Sequence, residues 1–379
     1  MLAESQCFYM KKIGILTFHR ANNYGAVLQA YALKQTLLSL HAQVQIVNYL
    51  CPAIEDFYSF WSGSFSLKWL ALKVGKLLFL AKFLSNQRKF EQFRSRYLTD
   101  TTPVAAADIA KLNAIYDLFI TGSDQVFNPR ITGFDKNYLL DFVQDNSKKY
   151  SYAASVAVED ISAREEKFLS NYLKNFAGIS VREKQTVEKL HQVTGKPILV
   201  HLDPTLLLTK QNWQHIASLP KNQSNYILLY LMDENSKIID FTQRLSKHTG
   251  LKVIHISASL RSKTPFKSMC VTPQQWLGYF LGATYIVTNS FHGLVFSLNF
   301  NKPFFVDVVR AGDARLRNDR ILNMLELTGF TNRLIEQIGT NYEEPLNFSV
   351  SNNILQQEKA RALAYLKEIV NKPGEQPLC

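Results

Sequence analysis

The sequence predicts an α/β protein made of two Rossmann-like domains, each with a parallel sheet. Three observations predict it. Short β-branched and aromatic runs alternate with helical runs through both halves of the chain, the pattern that parallel strands with crossover helices require. The chain has 379 residues, too many for one ordinary core. A polar break, KNQSN at 221–225, divides the alternation in two. The expected organisation is a first domain over 10–220 with a helical insertion near 60–98, and a second over 221–350. A final helix and tail at 351–379 is placed to pack back on the first domain.

Residues 12–18, KIGILTF, read as a buried strand. A polar loop from His19 to Gly25 follows, and then a helical run, AVLQAYALKQTLLSL. Strand, glycine-bearing loop and helix open a Rossmann-like unit, although the G-x-G-x-x-G dinucleotide fingerprint is absent. Strands are expected at 43–49, 115–121, 148–156, 178–181 and 196–202, with a helix near 162–175. In the second half they are expected at 226–231, 251–256, 285–288 and 303–308, with helices near 236–248, 273–281 and 291–299. A last helix is expected over 354–371. Residues 65–98 carry Leu, Phe, Lys and Arg as one or two helices. Lys68, Lys73, Lys76 and Lys82 make no clean basic face, which favours a packed insertion with snorkelling lysines over a membrane-surface helix.

Composition bounds the function. A hydrophobic share of 46% with 20% charged residues is that of a soluble globular protein. A net charge of +12 asks for an anionic partner: a phosphorylated metabolite, a nucleic acid or an acidic membrane face. The charge is spread along the chain and no nucleic-acid motif is present, so no specific nucleic acid is expected. The four cysteines, Cys7, Cys51, Cys270 and Cys379, are far apart and suggest neither disulfides nor a metal site. No apolar run spans a bilayer and the start MLAESQCFYMKK has no signal-peptide core. The expected place is the cytoplasm, with peripheral contact at the inner face of the membrane left open. Residues 1–9 read as an extended start or a frayed tail.

Candidate site residues fall at strand ends. In parallel sheets these ends share one edge, so His19, Asp124, Arg182, Asp203 and His292 can converge on a crevice between two domains. The stretch TYIVTNSFHGLVFSLNFNKP at 284–303 is the strongest local signal. A strand runs through a polar turn into a helix that Asn289 or Ser290 can cap. Gly293 allows close backbone approach, and His292 sits in the first turn beside the positive end of the helix dipole. Asn23 and Gly25 face the same edge from the first loop. Each has a bland alternative. Asp124 and Asp203 are plausible turn residues, and Arg182 beside Glu183 is a plausible surface ion pair.

Taken together and in order, GILTFHRANNYGAVLQAYAL, ITGSDQVFN, SYAASV, SVREKQT, HLDPTLLL and TNSFHGLVFSLNFNKPF resemble the polysaccharide pyruvyl transferase family. The resemblance runs from Met10 to about Arg333 and includes RILNMLELTGF. It implies a GT-B-like fold, two Rossmann-like domains facing each other across a cleft. It also implies transfer of a pyruvyl group from phosphoenolpyruvate onto two hydroxyls of a sugar, giving a ketal in a cell-surface glycan or exopolysaccharide. Asp124, Arg182 and His292 match functional positions of the family. The roles that follow are His292 on the phosphate, Arg182 orienting the donor, and Asp124 or Asp203 handling a hydroxyl proton. The acceptor is a glycan or lipid-linked sugar, and neither a metal nor an organic cofactor is called for. One position departs: members often carry an arginine two residues before the helix histidine, and here it is Ser290. Arg315, Arg317 or Arg320 is expected to replace it. The competing readings are a GT-B glycosyltransferase using a nucleotide sugar and a non-catalytic anion-, nucleic-acid- or membrane-binding protein.

Overall fold

Strand β1 (Lys12–Leu16) is buried from Ile13 onward and pairs in parallel with β2 (Gln43–Ile46) on one side and β3 (Leu118–Thr121) on the other. β3 pairs with β4 (Lys149–Ser151), and parallel bridges Tyr150–Gly178 and Ala154–Val181 lead on to β5 (Ile179–Val181) and β6 (Ile198–Val200). The first unit therefore runs in the order β2-β1-β3-β4-β5-β6. The order reverses between β1 and β3, so the crevice beyond these two strands is the topological switch point where open α/β sheets bind ligands. The second unit is a parallel sheet ordered β11-β10-β7-β8-β9, made of β7 (Tyr226–Tyr230), β8 (Lys252–Ile256), β9 (Ser268–Met269), β10 (Tyr285–Thr288) and β11 (Phe304–Val306). Its switch point lies between β7 and β10. The computed structural model describes residues 10–58, 73–99, 101–156, 161–221, 225–257, 262, 264–308, 314–339 and 341–372, with the side chains of 73–79 and 314–318 left out.

The helices are α1 (Tyr24–Leu38), α2 (Pro52–Tyr58), α3 (Lys73–Tyr97), α4 (Pro129–Thr132), α5 (Ala163–Leu173), α6 (Val187–Thr194), α7 (Lys210–Ile216), α8 (Ser236–Thr249), α9 (Pro273–Gly282), α10 (Phe291–Asn299), α11 (Ala314–Thr328) and α12 (Ser349–Asn371). The expectation of an α/β protein with parallel sheets is met. Most strands are shorter than the apolar runs that announced them: β1, β2, β4, β7 and β11 give up their last residues to loops, while β3, β5 and β8 start later and keep the expected end. The insertion is the single helix α3 where it is described. Lys68 and residues 1–9 lie outside the described residues, as do the side chains of Lys73 and Lys76.

Helix α1 is apolar all round, as a helix covered on every side must be, and twelve of its fifteen residues are buried. It packs against both units. Tyr24 stacks on Trp276 of α9 at 5.6 Å and donates its hydroxyl to the Val271 carbonyl at 3.0 Å. Tyr31 meets Trp213, which meets Phe296 of α10. Helix α12 crosses back, with Tyr365 donating to the Ser151 carbonyl at 2.9 Å and stacking on His201. These contacts set the carboxyl edges of the two sheets against one another.

Candidate active site

The site is assembled where those edges meet. Helix α10 follows β10 through one tight turn. Ser290 caps it by accepting from the Gly293 N–H at 3.3 Å and is itself buried. The next turn residue, His292, leans across to the first unit. Its ring seats on Gly25 at the start of α1, where any Cβ would overlap the imidazole. Its Nε2 lies 3.6 Å from Asp203 Oδ2, an electrostatic contact too long for a hydrogen bond.

Asp203 follows β6 and does two jobs. Its Oδ1 accepts from the Thr205 N–H and hydroxyl, at 3.0 and 2.7 Å, to start a short 3-10 helix. Its Oδ2 accepts from Arg182 Nη1 at 2.8 Å and from the Ser123 hydroxyl at 3.0 Å. It is fully buried. Burial alone would raise its pKa, but His292, Arg182 and Thr205 outweigh that and hold it far below the usual carboxylate range. Arg182, just after β5, is equally enclosed, so the surface ion pair with Glu183 is not what forms. Burial disfavours its charge, and Glu183, Asp203 and Asp124 more than restore it. Its guanidinium lies 4.8 Å from the centre of the Phe291 ring, and that of Arg320 lies 5.7 Å from the same ring. Burial and the neighbouring Arg182 push the Arg320 pKa down to about 10, so it stays charged at neutral pH.

Four buried polar atoms of this cluster have no hydrogen-bond partner among the described residues: Arg182 Nη2, Arg320 Nε, His292 Nε2 and Glu183 Oε2. Unpartnered buried groups are costly, and a bound ligand is one way to satisfy them. Glu183, Ser123, Ser155 and Phe291 were not singled out by sequence reasoning as site residues. For Ser123 a signal existed, since it is a small polar residue just past β3.

A cavity of about 390 Å³ opens at the switch point of the first sheet, walled by Phe18, Ala26, Ile54 and Tyr58 with Asn23, Asp124 and Arg130 among its polar groups. That size suits a small ligand. Asp124 holds a left-handed φ of 78°, strained for a residue with a side chain, and its charge reaches Arg182 and Arg320. Asn23 caps α1 and lines the same cavity.

Several candidates have structural duties instead. The His19 ring is buried with Nδ1 at 3.0 Å from the Thr17 carbonyl and Nε2 at 3.2 Å from Asn48, so both nitrogens are engaged. Asn289 ties the β7 and β10 loops together, accepting from the Met232 N–H and donating to the Asp233 carbonyl. Gly293 packs closely on Thr288, where a Cβ would overlap the threonine hydroxyl. Gly25 seats His292. The side chains of Arg315 and Arg317 lie outside the described residues. Among the described residues no cluster of three or more His, Cys, Asp or Glu could hold a metal ion, and no helix is long and apolar enough to cross a membrane.

A sequence model of the polysaccharide pyruvyl transferase family matches residues 23–306, three quarters of the chain. The chain belongs to this family. The matched span holds Asp124, Arg182, Asp203 and His292 and leaves out Arg320. No curated protein matches the chain. Among solved structures, S. aureus MnaA with UDP is 12% identical at a TM-score of 0.45, covering 97% of this chain and 93% of its own. Anabaena Alr3699/HepE in complex with UDP and glucose is 10% identical at 0.45, covering 94% and 97%. The glycosyltransferase SnogD from Streptomyces nogalater is 11% identical at 0.40, covering 96% and 99%. At such scores these likenesses carry no argument about what this pyruvyl transferase family member binds.

Proposed function

We propose that the chain moves a pyruvyl group from phosphoenolpyruvate onto two hydroxyls of a sugar, forming a cyclic ketal and releasing phosphate. The observation that carries this is the set of unpartnered donors, Arg182 Nη2, Arg320 Nε and His292 Nε2, gathered around Phe291. Phosphoenolpyruvate is small and carries a carboxylate and a phosphate, and two guanidinium groups with an imidazole are the donors such an anion takes. Arg320 supplies the cation that the family pattern would place at position 290. Its helix brings it in from the far end of the second unit.

The acceptor sugar lies in the cavity at the switch point, its apolar face on Tyr58 and Phe18 and its hydroxyls towards Asp124 and Asn23. Asp124 takes a hydroxyl proton as oxygen bonds to C2 of the donor. His292 protonates the departing phosphate while Arg182 and Arg320 hold its charge. Asp203, with both oxygens engaged, is a positioning residue that fixes Arg182 and His292. This scheme calls on no metal or organic cofactor. The product is a pyruvylated glycan of the cell surface or an exopolysaccharide, built at the cytoplasmic side of the membrane from a free or lipid-linked acceptor.

Calorimetric titration with phosphoenolpyruvate, beside a panel of nucleotide sugars, tests this. Saturable phosphoenolpyruvate binding that falls at least tenfold in Arg182→Ala and in Arg320→Ala is expected. Tight binding of a nucleotide sugar with no response to phosphoenolpyruvate would overturn the reading in favour of glycosyl transfer.

A further inference from the structure

Three carboxylates face the site, and they differ in what their oxygens are doing. Both oxygens of Asp203 are engaged, and Asp124 belongs to the cavity beside the donor seat. Glu183 is different. Its Oε1 accepts from the Ser155 hydroxyl at 2.5 Å and from Arg182 Nε at 3.5 Å, which pins the carboxyl group. Its Oε2 is buried without a partner. It stands where a capping residue would, before the 3-10 turn Lys184–Thr186, yet its side chain makes no cap.

A carboxylate kept only to neutralise two arginines would set both oxygens on their N–H groups. Here Arg182 spends Nε on Glu183 Oε1 and Nη1 on Asp203, while Arg182 Nη2, Arg320 Nε and Glu183 Oε2 are left without a partner among the described residues. Such an arrangement costs stability unless something bridges the groups in use.

Resting on the pyruvyl-transfer reading, we propose that Glu183 is a catalytic acid, delivering the proton that C3 of phosphoenolpyruvate must gain. Arg182, its neighbour in the chain, holds the donor, and Ser155 fixes the direction of Oε2. The proton leaves Oε2 and bonds to C3, using the electron pair of the C2–C3 double bond. C2 becomes electron-poor, and the first sugar oxygen bonds to it as Asp124 takes that hydroxyl's proton. The C2–O bond to phosphate then breaks, its pair leaving with the phosphate, which His292 protonates. The second sugar oxygen bonds to C2 and its proton returns to Glu183. The excess proton on Asp124 passes to His292 through solvent, so every group ends as it began. The vinyl CH2 has become a methyl group, and no oxidant or reductant is needed.

The test is Glu183→Gln and Glu183→Asp in the full chain, read by phosphoenolpyruvate titration, thermal melting, turnover across pH, and deuterium content of the product methyl in heavy water. Glu183→Gln should bind phosphoenolpyruvate within about threefold of wild type while turnover falls 10²- to 10⁴-fold, the range for a lost general acid. Glu183→Asp should recover part of the rate with a displaced pH profile, and its product methyl should carry one deuterium. Turnover of Glu183→Gln within threefold of wild type overturns the proposal. So does a joint loss of donor affinity and melting temperature in both variants, which marks a structural carboxylate. If wild type neither binds nor consumes phosphoenolpyruvate, the donor reading itself fails and this proposal with it.

Discussion

At the residue scale the site depends on contacts across the two units, and Gly25 gives the sharpest case. The His292 ring lies where a Cβ would stand. Gly25→Ala should displace the imidazole by about an ångström and cut turnover on the order of 10²-fold, with only a small change in melting temperature. Steady-state kinetics of that variant check it, and an unchanged rate would mean that His292 does not act from this seat. Asp203 makes a second prediction. Its carboxylate is the hydrogen-bonded counter-charge of a buried Arg182. Asp203→Asn should cost about 3 kcal/mol in urea denaturation, because it leaves a buried guanidinium undercompensated. It should lower turnover as well, since Arg182 and His292 lose a shared anchor. The chain showed these residues at strand ends, but not their division of labour. Whether a carboxylate is engaged or bare depends on Thr205, in the same turn as Asp203, and on Ser123 and Ser155, which come from loops after other strands.

At the scale of elements, the bounds of β10 and α10 were readable because each has a chemical cause, while the cap stayed open between Asn289 and Ser290. β-branched residues fill the strand, and Ser290 supplies the cap oxygen. Ser290→Ala should therefore cost about 1 kcal/mol of stability and leave phosphoenolpyruvate affinity within twofold, because the serine faces its own helix and is buried. A large loss of donor affinity would instead give Ser290 a direct contact. Other elements escaped for equally physical reasons. Helix α7 has seven residues, too few to show a period, and rests on a capping box between Thr209 and Asn212. Strand β9 has two residues and exists only through its pairing with β8. Glycine at 293 looked like an opening for a ligand, but the close neighbour is Thr288 of the preceding strand. Sequence spacing cannot tell these two causes apart.

For the whole molecule, strand alternation revealed parallel sheets but not their order, which depends on pairings far apart in the chain. The order matters, since it puts the Asp124 cavity at one switch point and lets Asn289 close the other. It also buries two histidines that are not members of the donor cluster. His19 is enclosed beyond β1, and burial pushes its pKa down to about 4 against the help of Thr17 and Asn48. His201 sits between Tyr152 and Tyr365, where α12 returns to the first unit, and burial followed by Arg361 lowers it to about 4 as well. In the unfolded chain both would titrate near 6.5. The unfolded state therefore binds more protons than the folded state between about pH 6.5 and pH 4, and stability falls as pH drops through that window. Each histidine contributes roughly 3 kcal/mol across it, fully present above the upper limit. Urea denaturation at pH 7.5 and 5.0 should show a clear loss at the lower value, and His201→Gln should flatten the slope while lowering stability at both. A stability that does not change between these pH values would mean that the two imidazoles are protonated inside the fold, and would place a counter-charge beside Asn48 or Ser180.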